Sequence, residues 1–158
     1  MHYTSGALPL RQNQNNHMSS DRPQAALIEN MTCTITSERP IADVQEKMPA
    51  LCERHKFALL QTYVYHEIVE SKGFPIERPV YIFEICQARL AAAMLTRHPI
   101  FSVFMPCRIA IYSDNEKTVI ATMNMEGLLE AIRSDKTLYE ETKNVFNSIL
   151  LLMDELRN

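Results

Sequence analysis

Glycine is scarce in this chain, with three in 158 residues, and no Gly-rich loop of the kind that cradles phosphates can be drawn, so a nucleotide enzyme of a common type is not expected. The histidines form no HxxxH, HExxH or Ser-His-Asp signature. The four cysteines, Cys33, Cys52, Cys86 and Cys107, contain no close CxxC pair. An even cysteine count suggests disulfides only in a small secreted chain. The N-terminus shows no positive segment, apolar stretch and small-residue cleavage site in sequence. Reduced thiols and cytoplasmic residence are therefore expected. The longest apolar runs, such as Ile149 to Met153, are too short to span a bilayer. Sixteen Lys and Arg stand against nineteen Asp and Glu, a net charge of −3, with no basic stripe interleaved with aromatics. A nucleic-acid surface is not expected.

What is present is an ordinary globular composition, 46% hydrophobic and 22% charged, in a length that suits one domain with one core. Residues Met1 to Gln24 are rich in Asn, Gln, Ser and Pro and follow no period of 2 or 3.6, which predicts a disordered tail. Residues 25–158 read as a single domain. Met31 to Ser37 alternates and is rich in β-branched residues, which predicts a strand. Ile41 to Arg54 carries a helical apolar face, with Pro49 predicting a kink or early stop. Phe57 to Tyr65 reads as a strand, and His66 to Lys72 as a short helix closed by Gly73 in a left-handed cap.

Val80 to Cys86 is the clearest strand, and the Ala-rich segment Gln87 to Arg97 is helical by propensity. His98-Pro99 stops that helix. Cys107 to Tyr112 and Thr118 to Met123 make a hairpin around Asp114-Asn115. Met125 to Ser134 and Lys136 to Arg157 are helices. The order β-α-β-α-β-α-β-β-α-α argues for an α+β fold, with helices on one face of a largely antiparallel sheet.

Two constellations could carry chemistry. Glu84-x-Cys86 ends a strand where a helix begins, and alternation places both side chains on one side of the sheet. Helix N-terminal amides stabilise a thiolate, while the Glu84 carboxylate opposes one; the alternative is a small buried cysteine beside a Glu bound to loop backbone. Met105-Pro106-Cys107 opens the next strand. Its thioether and thiolate suit a soft metal such as Cu(I) or a haem iron, with Met123 and Met125 on the partner strand and His98 as a further ligand. The alternative is that these methionines fill core. The helix after Cys86 is expected to carry the chain away, so that Cys107 begins about 20 Å distant unless the segment from His98 to Met105 extends back.

Glu84-Ile-Cys86, the Ala-rich helix to His98-Pro99, Met105-Pro106-Cys107 and the strand after it resemble the domain of unknown function 302 family. Lys72-Gly73-Phe74 and Val119-Ile-Ala-Thr-Met123 before Leu128-Leu129 fit as well, and the likeness runs from Met31 to Leu156. It implies a small, curved antiparallel sheet with helices on one side, usually dimeric, and no particular activity. Two positions depart from the family pattern: Gln87 stands where Asn often follows the first cysteine, and His98-Pro99 replaces Asp-Pro.

The expectation is a non-enzymatic, homodimeric binding protein. Its pocket lies between sheet and helices at Glu84, Cys86, Met105 and Cys107, and takes haem, a soft metal or a small apolar molecule. The alternatives are a thiol enzyme or redox carrier using Cys86 or Cys107, and a structural homodimeric interaction module. The dimer is expected to form through the C-terminal helix, where Ile149 to Met153 are apolar in succession and one stripe cannot hold Leu150, Leu151 and Met153 as well.

Overall fold

Strands form where β-branched and aromatic residues alternate, and five such segments pair edge to edge in one antiparallel sheet. The computed structural model describes residues 21–158. The strands are β1 (Thr32–Ser37), β2 (Ala58–Val64), β3 (Val80–Cys86), β4 (Cys107–Asp114) and β5 (Lys117–Met123), in the spatial order β1-β5-β4-β3-β2. The helices are α1 (Asp21–Met31), α2 (Ile41–Glu46), α3 (Met48–Arg54), α4 (Tyr65–Ser71), α5 (Ala88–Arg97), α6 (Glu126–Ala131) and α7 (Lys136–Arg157), with a 3-10 helix at Pro99–Phe104. The fold is the expected α+β sheet. A register shift between Leu59 and Gln61 adds curvature at the β2 edge.

The alternation of β3 works as the sequence implies. Phe83 and Ile85 are buried, and their cross-strand partners on β4 are Ile109 and Cys107. With Ile111 and Ile120 they make an apolar sheet face on which α7 lays Ile149, Leu152 and Leu156, while Val44, Met48 and Leu51 close it from α2 and α3. Each such side chain removed from water contributes about 1.5–3 kcal/mol. Pro49 acts as predicted: the helical stretch breaks at Lys47, and the proline sits in the first turn of α3, where its missing N–H has no partner to lose. Gly73 adopts φ +88 after α4, and Phe74 N–H reaches back to the Val69 carbonyl (3.0 Å), the left-handed cap expected there. The hairpin turn falls on Asn115 and Glu116, both at positive φ, one residue beyond the predicted pair. This two-residue geometry matches strand twist.

Three expectations are corrected. Helix α1 was not anticipated; it covers Asp21 to Gln24 of the expected tail, whose first twenty residues lie outside the described ones. The 20 Å separation of Cys86 and Cys107 is not found, because Ile85 pairs with Cys107 across adjacent strands. Ten residues of α5 carry the chain about 15 Å out and six residues of 3-10 helix carry it about 12 Å back. Finally, the premise for uncovered residues on α7 holds for one side chain only. Met153 is 1% exposed and Leu150 is half-buried, leaving Leu151 at 61%.

Candidate functional site

The return of the chain along α5 and the 3-10 helix leaves a gap where β3 ends and β4 begins. That gap is an apolar cavity of about 290 Å³. Its floor is Ile85, Cys86 and Cys107 from the sheet, and one wall is Leu90, Ala91 and Met94 from α5. Phe101 and Met105 close it from the 3-10 helix and its exit, and Met125, Leu128 and Val145 close it from the approach to α6, α6 itself and α7. Leu60, Leu95, Phe104 and Met123 form the rim, and all four are exposed. A second hollow of about 210 Å³ shares Phe104, Cys107, Met123 and Met125 with the first.

Local sequence explains the shape. Leu90 and Met94 are one helical turn apart and so share a face of α5. The Leu90 N–H donates to Gln87 Oε1 (2.7 Å), so Gln87 caps the helix. Phe101 stacks edge-on with Phe104, centroids 6.1 Å apart, and holds the 3-10 helix against α5. The polar groups facing the cavity are few. Thr142 is buried and its hydroxyl donates to the Leu138 carbonyl (2.7 Å), leaving its lone pairs as acceptors toward the space.

The expected site residues are divided by this geometry. Cys86, Met105 and Cys107 line the cavity together, with Met123 and Met125 beside them. Glu84 does not. It lies on the opposite face of the sheet, where its carboxylate pairs with Arg108 of β4 (3.5 Å), its cross-strand neighbour. His98 caps the C-terminal end of α5, packs on Phe101 with ring centroids 5.9 Å apart, and is not part of the lining. His66 accepts the Val80 N–H on Nδ1 (3.0 Å), and His55 bonds Glu155 (3.0 Å). Among the described residues no group of three or more His, Cys, Asp or Glu is placed to hold a metal.

The thiols are free. Burial pushes the Cys107 thiol up, and the neighbouring Cys86 adds to this against the weaker opposite pull of Arg108. A nucleophilic thiolate needs the opposite shift. Burial also raises Cys52, and burial with Glu126 nearby raises Cys33. The residues that sequence reasoning missed are the far walls: Leu90, Met94, Phe101 and Thr142. The i, i+4 spacing on α5 was the available signal, and it reads equally well as ordinary core.

The family model described as "Domain of unknown function DUF302" matches residues 33–156. A crystal structure of an uncharacterized conserved DUF302 protein from Bacillus stearothermophilus superposes with a TM-score of 0.69 at 22% identity, over 80% of this chain and 98% of that one. No curated protein matches the sequence. Among the described residues no helix is long and apolar enough to cross a membrane. The match spans the whole sheet, the cavity and the helices that wall it, and the chain belongs to the DUF302 family.

Proposed function

We propose that this chain is a non-enzymatic binding protein for a compact apolar molecule, held between the sheet end, α5 and the 3-10 helix. The observation that carries this reading is the cavity, open to solvent at one rim and walled almost wholly by carbon and sulfur. An apolar cavity of about 150 Å³ stays dry and binds benzene. A space of about 290 Å³ suits a ligand of roughly a dozen non-hydrogen atoms, well below the size of a haem. Methionine walls adapt to ligand shape, and Thr142 offers one buried acceptor for a ligand O–H or N–H.

The test uses the absence of tryptophan from the chain, which leaves the fluorescence of 2-naphthol free of interference. At about 0.5 kcal/mol per non-hydrogen atom, its dissociation constant is expected on the order of 0.1 mM. Ala91→Phe fills the space and should weaken binding at least tenfold. Equal binding by the filled variant would end the reading.

One observation favours a second reading. Four thioethers (Met94, Met105, Met123, Met125) and two thiols (Cys86, Cys107) face the same space, a donor set that suits soft Cu(I) rather than a hard cation. Titration with Cu(I) against a competing chelator, with Met105→Leu as the variant, decides it.

A further inference from the structure

Two of the four thiols meet at the floor of the cavity, and binding an inert apolar molecule makes no use of them. Ile85 and Cys107 are cross-strand partners, and Cys86 is the next residue along β3. With neighbouring strands about 5 Å apart and about 3.3 Å per residue along each, the Cα atoms of Cys86 and Cys107 stand about 6 Å apart. That lies within the span of about 4.4–6.8 Å that a disulfide bridges. In a continuing ladder, residues one step out of register turn to opposite faces. Here β3 ends at Cys86, and both residues line the same cavity. Their thiols also interact, since Cys86 is among the groups that hold the Cys107 thiol up. Both are free and only partly buried. Cys52 is buried elsewhere under the sheet, and Cys33 lies on β1, beyond β5.

The lining limits what could oxidise this pair. Among the described residues that wall the cavity none is charged, and Glu84 pairs with Arg108 on the other face. A hydroperoxide leaves as an alkoxide, a strong base that needs a cation or an acid beside it, and the walls supply neither. A disulfide leaves as a thiolate, a much weaker base that departs without such help. The same walls favour an uncharged, compact reactant over a charged one.

We propose that Cys86 and Cys107 are a dithiol that exchanges with a compact apolar disulfide entering the cavity, closing a bond across its floor. The route of entry rests on the apolar binding read above; the pairing of the two cysteines does not. Cys86 gives up its proton, and its thiolate attacks one sulfur of the entering disulfide. The sulfur–sulfur bond breaks, and the first thiolate leaves and takes up that proton, which leaves a mixed disulfide on Cys86. Cys107, whose thiol burial holds up, acts second. It gives up its proton, attacks the Cys86 sulfur and expels the other thiolate, which takes that proton. Two protein thiols are oxidised by two electrons, and one disulfide is reduced to two thiols. The new bond joins the two ends of the segment that makes α5 and the 3-10 helix, so it ties the cavity walls at their base.

Dipropyl disulfide, uncharged and small enough for the space, is the probe, added without air to the full reduced chain. The expected result is two equivalents of propanethiol per chain and a Cys86–Cys107 linked peptide by mass mapping, with Cys33 and Cys52 still alkylatable. Dithiothreitol should reverse it. Cys107→Ser should release one equivalent and hold a propylthio group on Cys86. Oxidised glutathione, charged and too large for the cavity, should react at least about tenfold more slowly. Native protein that does not react, stops at the mixed disulfide or links through Cys33 or Cys52 overturns the proposal, as does glutathione reacting as fast. Naphthol binding without exchange strikes only the dithiol, whereas linkage of Cys86 to Cys107 without naphthol binding strikes the reading of the cavity as a general apolar site.

Discussion

Under α7 the sheet side chains Ile109, Ile111 and Ile120 meet Leu152 and Leu156 with no exposure at all, whereas under α5 and the 3-10 helix Leu90, Met94 and Phe101 enclose a cavity. Both regions are apolar and both are built on β3 and β4. The difference lies in what lies across them. Helix α7 is twenty-two residues long and spans the sheet, so its stripe is filled by branched side chains with defined rotamers. Helix α5 is ten residues long, and the segment after it doubles back, so its walls meet the sheet only at the end. Where the first region is closed by shape, the second is lined by flexible thioethers. A binding space in this fold is therefore a packing layer left unfinished.

Truncations measure that contrast most strongly. Leu152→Ala is expected to cost about 2–5 kcal/mol, the transfer loss plus a cavity that its neighbours cannot collapse. Met94→Ala removes as many atoms, yet one side of Met94 already faces empty space and has fewer contacts to forfeit, so about 1–2 kcal/mol is expected. Urea unfolding with an unchanged slope measures both. Equal costs would mean that the cavity is filled in solution.

Enlargements should reverse the order. Val44 is sealed between α2 and the sheet, and Val44→Phe is expected to cost about 1–3 kcal/mol through overpacking. Ala91→Phe grows into the cavity and should leave stability within about 0.5 kcal/mol of the native chain. A large penalty for Ala91→Phe would show that the space does not accept a ligand-sized group.

Timed alkylation gives a smaller, several-fold contrast. Cys52 lies on the buried face of α3 and its thiol is raised by burial, as is that of Cys33. Cys86 opens onto the cavity and should be labelled before either. Bound 2-naphthol should slow Cys86 and Cys107 and leave Cys33 unchanged. Protection of all four equally would point to a global effect of the probe.

The sheet was legible because its faces follow a period of 2: the alternation in Val80 to Cys86 and the β-branched run from Thr32 each state their own partner face. Pro49 and Gly73 were legible for the same local reason, since each constrains its own backbone. Alternation put Glu84 and Cys86 together, yet only Cys86 lines the cavity; Cys86 is the last residue of β3, where the strand pattern gives way to the turn into α5. Cys86 and Cys107 came together through a 3-10 helix whose return path no local pattern announces. Leu150 and Met153 were thought too many for one stripe, yet α7 is covered on more than one side by α2, α3, α5 and α6, which is a tertiary fact. Helix α1 was missed because the polar residues before Ala25 hid a short apolar run.

The smallest expected effect compares the two ends of α7. At its start Asp135 caps the helix, accepting the Leu138 N–H (3.2 Å), and pairs with Arg97 at the end of α5. The Arg97 hydrogen bond and then the cap hold its carboxyl below the usual aspartate range. Near the end of α7, Glu155 meets His55 and Arg54 of the α3 end. Partial burial works to raise that carboxyl, but the hydrogen bonds from His55 and Arg54 outweigh it and the net direction is down. A carboxyl lowered on folding contributes stability above its unfolded value, about 3.9 for Asp and 4.3 for Glu. That contribution is lost as pH falls through the lowered folded value. Both pairs face water, so each contribution is modest and weakens with salt. Asp135→Asn keeps a capping oxygen and removes the charge. Its thermal midpoint should lie below the native one at pH 6, with the gap closing as both proteins are taken below about pH 3. Amide exchange should then separate the two ends: Asp135→Asn should speed exchange in α5, beside the cavity, and Glu155→Gln should speed it in α3, over the sealed core. A gap that persists unchanged in acid would show that Asp135 acts through its cap alone and not through Arg97.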